Sequence, residues 1–276
     1  MLGRGTNVVI DGKFIDRPGG QIDAERAAAI ADDGTFDSVR LDVGFTHAVG
    51  PEPETTLDPA FVAKLRQTIE GFTSRGITVM INDDSTIGSP ARFEAMWRSI
   101  GAELADLPPN VFFELANEPL WTHAPGEPPD FSPENVVHPD QWNELAARAI
   151  PAIRESNAAR TIVVTSGSIS FPQAIPQLEL PWSDGHPIAT FHQYQPLDAT
   201  GPMFGPPKPW LGDADALAGL RASMDPAVCW SRQHDILLTI NNSAPPPTSR
   251  LRRGWRGQRR SHDSLRRKAC RSPTSR

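Results

Sequence analysis

The segment from Phe113 to Pro119 places a carboxylate where an apolar strand ends, and it is the strongest functional signal in the sequence. Its first residues are apolar, Asn117 and Glu118 are polar, and Pro119 cannot continue a strand. A carboxylate in such a position can exchange protons with a bound substrate. Asn-Glu-Pro also suits an ordinary turn, because asparagine and proline are frequent turn residues. We favour the functional interpretation because other predicted strands carry polar companions.

Arg40, His192 and Tyr194 are these companions, and each lies in or directly after a predicted strand. Arginine is rarely buried without a partner, so Arg40 inside an apolar run predicts an ionic contact. Tyr194 is the only tyrosine in the chain, which makes a generic core role less suitable. His192 alone also fits a structural histidine. Together the three residues would supply one cation and two side chains able to donate hydrogen bonds.

Seven short apolar runs alternate with longer amphipathic stretches, and they define the elements that must position these residues. Strands are predicted over 5–10, 38–41, 77–81, 111–115, 161–165, 188–191 and 236–240. Helices are predicted over 22–31, 58–75, 92–104, 140–156 and 213–234. Strands that are apolar throughout are typical of a parallel sheet covered by helices.

The repeated strand and helix pattern predicts an α/β fold of the TIM (β/α)8-barrel type, with strands one to seven recognisable and an eighth missing. The alternative is a doubly wound sheet, but no glycine-rich phosphate loop follows the first strand. In a barrel, binding residues lie in the loops after the strands. Two proline-rich segments, 119–139 and 172–209, occupy such positions and predict long, stiff loops.

Four motifs resemble glycoside hydrolase family five, the cellulase family of retaining barrel glycosidases. Residues 113–119 resemble its fourth-strand motif, 4–7 its first strand, 39–43 its second and 191–194 its sixth. The resemblance runs from about residue 3 to 241. It implies that Glu118 is the proton donor, with a pKa raised by burial and by the negative charge of a neighbouring nucleophile.

The resemblance also assigns roles to the companions of Glu118. Asn117 would hydrogen-bond the 2-hydroxyl of the sugar, a contact that strengthens in the transition state. Arg40 would hold the nucleophilic carboxylate, Tyr194 would donate to it, and His192 would line the same cleft. A retaining glycosidase needs its two carboxyls about 5 Å apart and requires no cofactor or metal.

Other carboxylates and the tryptophans remain open. Glu114 has an uncertain direction within its strand and is left as a wall or supporting residue, and Asp42 competes with it. Asp83 and Asp84 stand where the family often has a histidine and receive no role. Three tryptophans lie in predicted loops, namely Trp121, Trp182 and Trp210. Each could stack on a sugar ring in a binding subsite or could anchor its loop to the core. Tryptophans in helical patterns are expected to pack in the core, namely Trp97, Trp142 and Trp230.

The nucleophile is missing from the sequence. The family keeps a glutamate at the end of the seventh strand, commonly followed by Phe-Gly, but this chain has no glutamate after Glu179 and reads Asn241-Asn242-Ser243-Ala244-Pro245. Asn-Glu-Phe-Gly-Ala can be encoded as AAC GAA TTC GGC GCC, and deletion of one G gives AAC AAT TCG GCG CC, which encodes the observed residues. We therefore expect that the nucleophile belongs at Asn242 and that residues 243–276 are an out-of-frame reading.

The charge distribution supports a boundary at the same place. The net charge is −6, yet residues 243–276 carry ten arginines and one lysine against Asp263 alone. The domain prediction is an incomplete barrel over 1–242 and a basic, arginine- and proline-rich tail over 243–276. The tail could bind nucleic acid electrostatically, but it has one aromatic residue, Trp255, and no recognisable fold motif. We therefore expect no nucleic-acid partner.

Composition excludes several other classes. A hydrophobic content of 38% with 22% charged residues excludes an intrinsically disordered chain. No run of eighteen apolar residues is present, and two cysteines cannot form a disulfide framework or a cysteine zinc site. The N-terminus lacks a signal peptide pattern, although a polymeric substrate predicts a secreted or periplasmic enzyme.

The resemblance thus implies an endo-acting retaining glycosidase that cleaves β-1,4-glucosidic bonds in cellulose or a related β-glucan, as a monomer without a membrane partner. A β-mannanase or another glucanase of the family is an alternative, because no residue distinguishes glucose from mannose. A catalytically inactive glycan-binding protein is the other, because the nucleophile is absent.

Overall fold

In the part of the chain that the structure describes, seven parallel strands form one sheet, and each strand pairs with its neighbour in chain order from β1 to β7. The computed structural model describes residues 5–10, 24–49, 55–121, 130–180, 187–197 and 213–243. The strands are β1 (Gly5–Ile10), β2 (Ser38–Val43), β3 (Thr78–Asp83), β4 (Val111–Glu114), β5 (Ile162–Val164), β6 (Pro187–Gln193) and β7 (Leu237–Ser243). Sequential order with all strands parallel is the arrangement of a (β/α)-barrel and differs from a doubly wound sheet.

Within the described ranges, five α-helices connect the strands: α1 (Ala24–Asp32), α2 (Pro59–Thr73), α3 (Pro90–Glu103), α4 (Pro139–Arg154) and α5 (Ala214–His234). Two 3-10 helices, Phe45–His47 and Pro172–Gln177, were not predicted. Proline at the first position and a capping side chain explain the starts of α2 and α3. Asp58 accepts from the amides of Ala60 and Phe61, and Ser89 accepts from that of Arg92.

The two faces of the sheet differ in chemistry. On one face Leu41, Ile81 and Phe113 pair across β2, β3 and β4 and are fully buried. Phe113 meets Trp97 of α3 with ring centroids 6.0 Å apart, so this face lies against the helices. The next register places Asp42 beside Asn82 and Asn82 beside Glu114 on the opposite face. Polar side chains therefore line the inside of the curled sheet near the carboxyl ends of its strands.

The predicted barrel-type fold is confirmed, with strands one to seven where the apolar runs placed them. Most strands extend two or three residues beyond those runs, because polar residues such as Asp42, Asn82 and Gln193 continue the pairing. Among the described residues, β1 and β7 are the edges of the sheet. The predictions of a missing eighth strand and of a tail over 243–276 concern residues that lie almost wholly outside the described ranges. Arg4 of the first motif also lies outside them.

Candidate active site

Arg40 is the centre of a buried ionic cluster on the inner face of β2. Its Nε donates to Oε2 of Glu114 at 2.6 Å, and its Nη2 donates to Oε1 of the same carboxylate at 2.8 Å. Its Nη1 donates to Oδ1 of Asp42 at 2.6 Å. The paired contacts to Glu114 match the planar fork of a guanidinium to a carboxylate. The ionic contact predicted for Arg40 is therefore present, and Glu114 makes two of its three hydrogen bonds to carboxylates.

The pKa values of Arg40 and Asp42 are both raised in this cluster. Burial acts to lower the pKa of Arg40, but the charges of Glu114 and Asp42 outweigh it and hold this pKa above its ordinary value. Burial raises the pKa of Asp42 to about 6, helped by the charges of Asp84 and Glu114 and opposed by Arg40. Arg40 thus stays charged, whereas burial makes Asp42 easier to protonate than an ordinary aspartate.

Asn117 is held on three sides. Its main-chain N–H donates to the carbonyl of Asp83 at 2.9 Å, and its side-chain Oδ1 accepts from Arg40 at 3.0 Å. Its Nδ2 donates to Oδ1 of Asp84 at 2.9 Å. An amide nitrogen carries two protons, so the orientation is fixed while one donor is left beyond the Asp84 contact. Asp83 and Asp84, to which the sequence assigned no role, are the residues that orient Asn117.

Glu118 contacts two polar side chains, His192 near the end of β6 and Tyr194 just after it. Nδ1 of His192 donates to Oε1 of Glu118 at 2.8 Å, and the hydroxyl of Tyr194 donates to the same oxygen at 2.9 Å. The three residues predicted to share a site are therefore in direct contact. The expected partner of Tyr194 was the nucleophile, and in this chain its partner is Glu118.

The pKa of Glu118 is shifted in the direction opposite to the prediction. Burial acts to raise it, but the hydrogen bond and the electrostatic interaction with His192, with the hydroxyl of Tyr194, hold the pKa of Glu118 below its ordinary value. The prediction of a raised pKa counted on a second carboxylate nearby, and position 242 holds asparagine. Burial and the adjacent negative charge of Glu118 hold the pKa of Tyr194 above its usual range. Glu118 is thus an ionised carboxylate here.

The end of β7 brings the predicted nucleophile position next to this pair. Phe191 pairs with Ile240, but the next residue, His192, pairs with Asn242 because a β-bulge shifts the register. Bulges of this kind insert one residue and recur beside active sites. The inserted residue is Asn241, whose Nδ2 contacts Sδ of Met80 on β3 at 3.1 Å.

The tryptophans divide by position. Trp97, Trp142 and Trp230 are buried, which confirms their predicted packing role. Trp121 is half-buried against the core, its main chain is bridged to Ile87, and its Nε1 donates to Gln141 at 3.4 Å. These contacts anchor the loop, and a sugar-binding role for Trp121 stays a prediction. Trp182 and Trp210 lie outside the described residues.

Glu114 and Asp84 are the site residues that sequence reasoning left without a function. Strand alternation could have identified the first, because Phe113 is an outward core residue and its neighbour must then point inward. Asp84 had no such signal, since it follows the end of β3 and its contact depends on the loop after β4.

A family model described as Cellulase (glycosyl hydrolase family 5) matches residues 15–244. Endoglucanase H of Acetivibrio thermocellus is 25% identical over 172 residues, which cover 60% of this chain and 17% of that protein. The chain therefore spans less than a fifth of this relative.

Three solved structures establish the fold. An endoglucanase superposes with a TM-score of 0.73 at 23% identity, covering 86% of this chain and 77% of the other. Cel5A of Thermotoga maritima in complex with cellobiose superposes with a TM-score of 0.71 at 24% identity, covering 86% and 77%. The same protein in complex with mannotriose gives a TM-score of 0.71 at 22% identity, covering 86% and 78%. The match of the family model over most of the sequence shows that this chain belongs to glycosyl hydrolase family 5, the cellulase family.

Proposed function

We propose that this barrel is built for endo-hydrolysis of β-1,4-glucan with retention of configuration, and that Glu118 is its acid/base. The observation that carries the proposal is the contact of Glu118 with His192, whose neighbour on β7 is position 242. Glu118, which follows β4, thereby lies near the end of β7, where a second carboxylate would stand at position 242. A retaining glycosidase requires this pairing, with carboxyls about 5 Å apart.

The reaction assigns one step to each position. Glu118 protonates the glycosidic oxygen while a carboxylate at position 242 attacks the anomeric carbon, which breaks the glycosidic bond and forms a glycosyl–enzyme ester. Glu118 then removes a proton from water as the water attacks the anomeric carbon and releases the carboxylate at 242. Asn117 would donate its remaining amide proton to the 2-hydroxyl, because Arg40 and Asp84 hold its other groups.

The substrate assignment is supported by the relatives. Endoglucanase H and the solved endoglucanases are named for internal cleavage of glucan. Cel5A was solved with both cellobiose and mannotriose, so a β-mannan is the alternative polymer. A polymeric substrate places the protein outside the cell or in the periplasm, and we expect it to act as a monomer. No described helix is long and apolar enough to cross a membrane.

A second function is favoured by the asparagine at position 242. Without a nucleophile the cleft can still bind glycan, and the lowered pKa of Glu118 leaves it unprotonated for the first step. The chain with Asn242 is then a glycan-binding protein on a glycosidase fold. Salt-sensitive retention on DNA would be needed to support a nucleic-acid function for the basic tail 243–276, which lies outside the described residues apart from Ser243.

The test is the full chain with Asn242→Glu, compared with the unchanged chain and with Asn241→Glu. We expect reducing-sugar release from carboxymethylcellulose only from Asn242→Glu, and calorimetric binding of cellotetraose by all three. A parallel assay on β-mannan decides between the two polymers. Equal hydrolysis by the unchanged chain would place the nucleophile elsewhere. Failure of every protein to bind either glycan would overturn both proposed functions.

A further inference from the structure

The loop after β5 contains three consecutive residues in the left-handed backbone region. Ser168, Ile169 and Ser170 have φ angles of 56°, 59° and 62°. Side chains other than glycine disfavour this region, and a β-branched residue such as Ile169 disfavours it most. Such strain persists only where the surrounding structure over-determines it, and it clusters at functional sites.

Hydrogen bonds at both ends hold the turn over residues 166–171 in place. The N–H of Ser168 donates to the carbonyl of Val137 at 2.9 Å, and the hydroxyl of Ser166 donates to the carbonyl of Phe171 at 3.2 Å. Gly167 lies against the start of α4, where an added Cβ would come within 2.8 Å of the nitrogen of Pro139. The loop therefore cannot relax toward α4, and the turn points Ser170 into the sheet interior.

Ser170 is fully buried and bridges the strand ends on either side of β5. Its hydroxyl donates to the carbonyl of Asn117 at 2.7 Å, and its own carbonyl accepts from the N–H of His192 at 2.8 Å. The carbonyl of Asn117 belongs to the peptide that precedes Glu118, and His192 contacts the Glu118 carboxylate. These bonds close a ring that runs from Ser170 through Asn117, Glu118 and His192 back to Ser170.

We propose that Ser170 is a positioning residue that holds Glu118 in contact with His192. The hydroxyl fixes the peptide plane before Glu118, and the carbonyl fixes the main chain of His192, so one residue sets both ends of the carboxylate–imidazole contact. The strained turn is the means by which a loop from β5 reaches both partners. The importance of this contact for hydrolysis rests on the proposed function, whereas the contact itself is testable in the chain as it exists.

The test compares Ser170→Gly, Ser170→Ala and Ser168→Gly in the full chain. The carboxyl of Glu118 is titrated by carbon-13 NMR, with Glu118→Gln used to identify its signal. Both Ser170 variants should raise the pKa of Glu118 toward that of an ordinary glutamate, because its donors are no longer aligned. Ser168→Gly should leave that pKa unchanged, since the contacts of Ser168 to Val137 and Phe171 are made by its main chain.

Melting curves separate positioning from folding. Glycine relieves the left-handed strain and alanine does not, so Ser170→Gly should melt above Ser170→Ala while both show the same change in the pKa of Glu118. An unchanged pKa in a folded Ser170→Gly protein, or an equal change in Ser168→Gly, would overturn the proposal. In the Asn242→Glu background we expect Ser170→Gly to lower kcat at least tenfold with KM unchanged. Because the NMR titration needs no turnover, an inactive Asn242→Glu protein would count against the proposed function and leave the result on Ser170 standing.

Discussion

Asn242 lies opposite His192 in the pairing of β6 with β7, although strict continuation from the Phe191–Ile240 pair would have placed Asn241 there. The bulge adds one residue to β7 and so decides which asparagine reaches the strand that carries the partner of Glu118. The codon argument from the sequence predicts a lost glutamate at the same position, 242. Two unrelated arguments therefore agree on one position.

Asn242→Glu should raise the pKa of Glu118. A second carboxylate about 5 Å away disfavours the ionised form, and Coulomb's law with an effective dielectric constant near 20 gives a rise of about two pH units. Carbon-13 NMR titration of Glu118 measures it. Asn241→Glu is the matched control, because Asn241 contacts Met80 and is not the residue paired with His192. A larger rise from Asn241→Glu would show that the register argument is wrong.

Asp42→Asn should change how stability depends on pH. Burial raises the pKa of Asp42 to about 6, against about 3.9 in an unfolded chain. Between these values the folded chain holds a proton that the unfolded chain has lost, so the contribution of Asp42 to stability is present below pH 4 and is lost as pH rises through 6. The asparagine keeps an acceptor for Arg40 without this loss.

Urea unfolding at pH 4 and pH 7 measures the effect. Relative to the unchanged chain, Asp42→Asn should gain about 1–3 kcal/mol on going from the lower to the higher pH. Asp215→Asn, at an exposed position in the first turn of α5, should show no comparable gain. A parallel pH dependence of the unchanged chain and Asp42→Asn would mean that folding does not raise the pKa of Asp42.

Glu114→Gln should destabilise the fold by about 3 kcal/mol, because removing one partner leaves a buried charge poorly compensated. Arg40 and Glu114 are 5% and 0% exposed, and the glutamine would set an amide group against the guanidinium. Glu155→Gln removes one of the two carboxylate partners of Arg98 on the surface, where Glu155 and Arg98 are 56% and 43% exposed, and should change stability little. Equal midpoints in urea for both variants would contradict a structural role for the buried pair.

The order of the strands could be predicted because each strand is an apolar run between clear helix signals. Asp58 before Pro59 and Ser89 before Pro90 are local capping patterns, and local patterns survive folding unchanged. The positions of Glu118, His192 and Tyr194 followed from the same logic, since the carboxyl ends of parallel strands meet at one edge of a barrel. Strand order predicts that these residues share one site, but not that Tyr194 donates to Glu118, since its expected partner was the nucleophile.

The remaining features depend on distant parts of the chain. The pKa of Glu118 depends on whether a second carboxylate is present, which no motif around Glu118 reports. Ser170 ends a Ser-Gly-Ser-Ile-Ser stretch that resembles any loop, and its bonds to Asn117 and His192 exist only because β5 lies between β4 and β6. Asp84 likewise contacts Asn117 across two loops. Such residues have no periodic signal and are visible only once the sheet is assembled.

Glu118→Gln, made in the Asn242→Glu protein, should separate the two chemical steps. General acid assistance contributes about 10²–10⁴-fold, so hydrolysis of unactivated glucan should fall by that factor. An aryl glycoside with a good leaving group needs little protonation and should retain its glycosylation rate. Glu134→Gln is the control, since it changes an exposed glutamate of the same loop. Equal, mild losses on both substrates would remove Glu118 from the acid/base role.

Restoration of the reading frame at codon 242 should improve folding and activity together. Leu237 and Ile240 of β7 are 72% and 48% exposed, an arrangement that a further strand and helix of a barrel would cover. The codon argument predicts a glutamate at 242 and a different sequence from 243 onward, so one inserted base changes both the site and the segment after β7. We expect the restored protein to be more soluble, to melt at higher temperature and to hydrolyse carboxymethylcellulose, whereas the present chain should be inactive, poorly soluble or both. Sequencing of the source gene across codon 242 checks the premise directly. An unaltered frame, combined with cooperative melting and equal hydrolysis by the present chain, would show that both the frameshift and the nucleophile position are wrong.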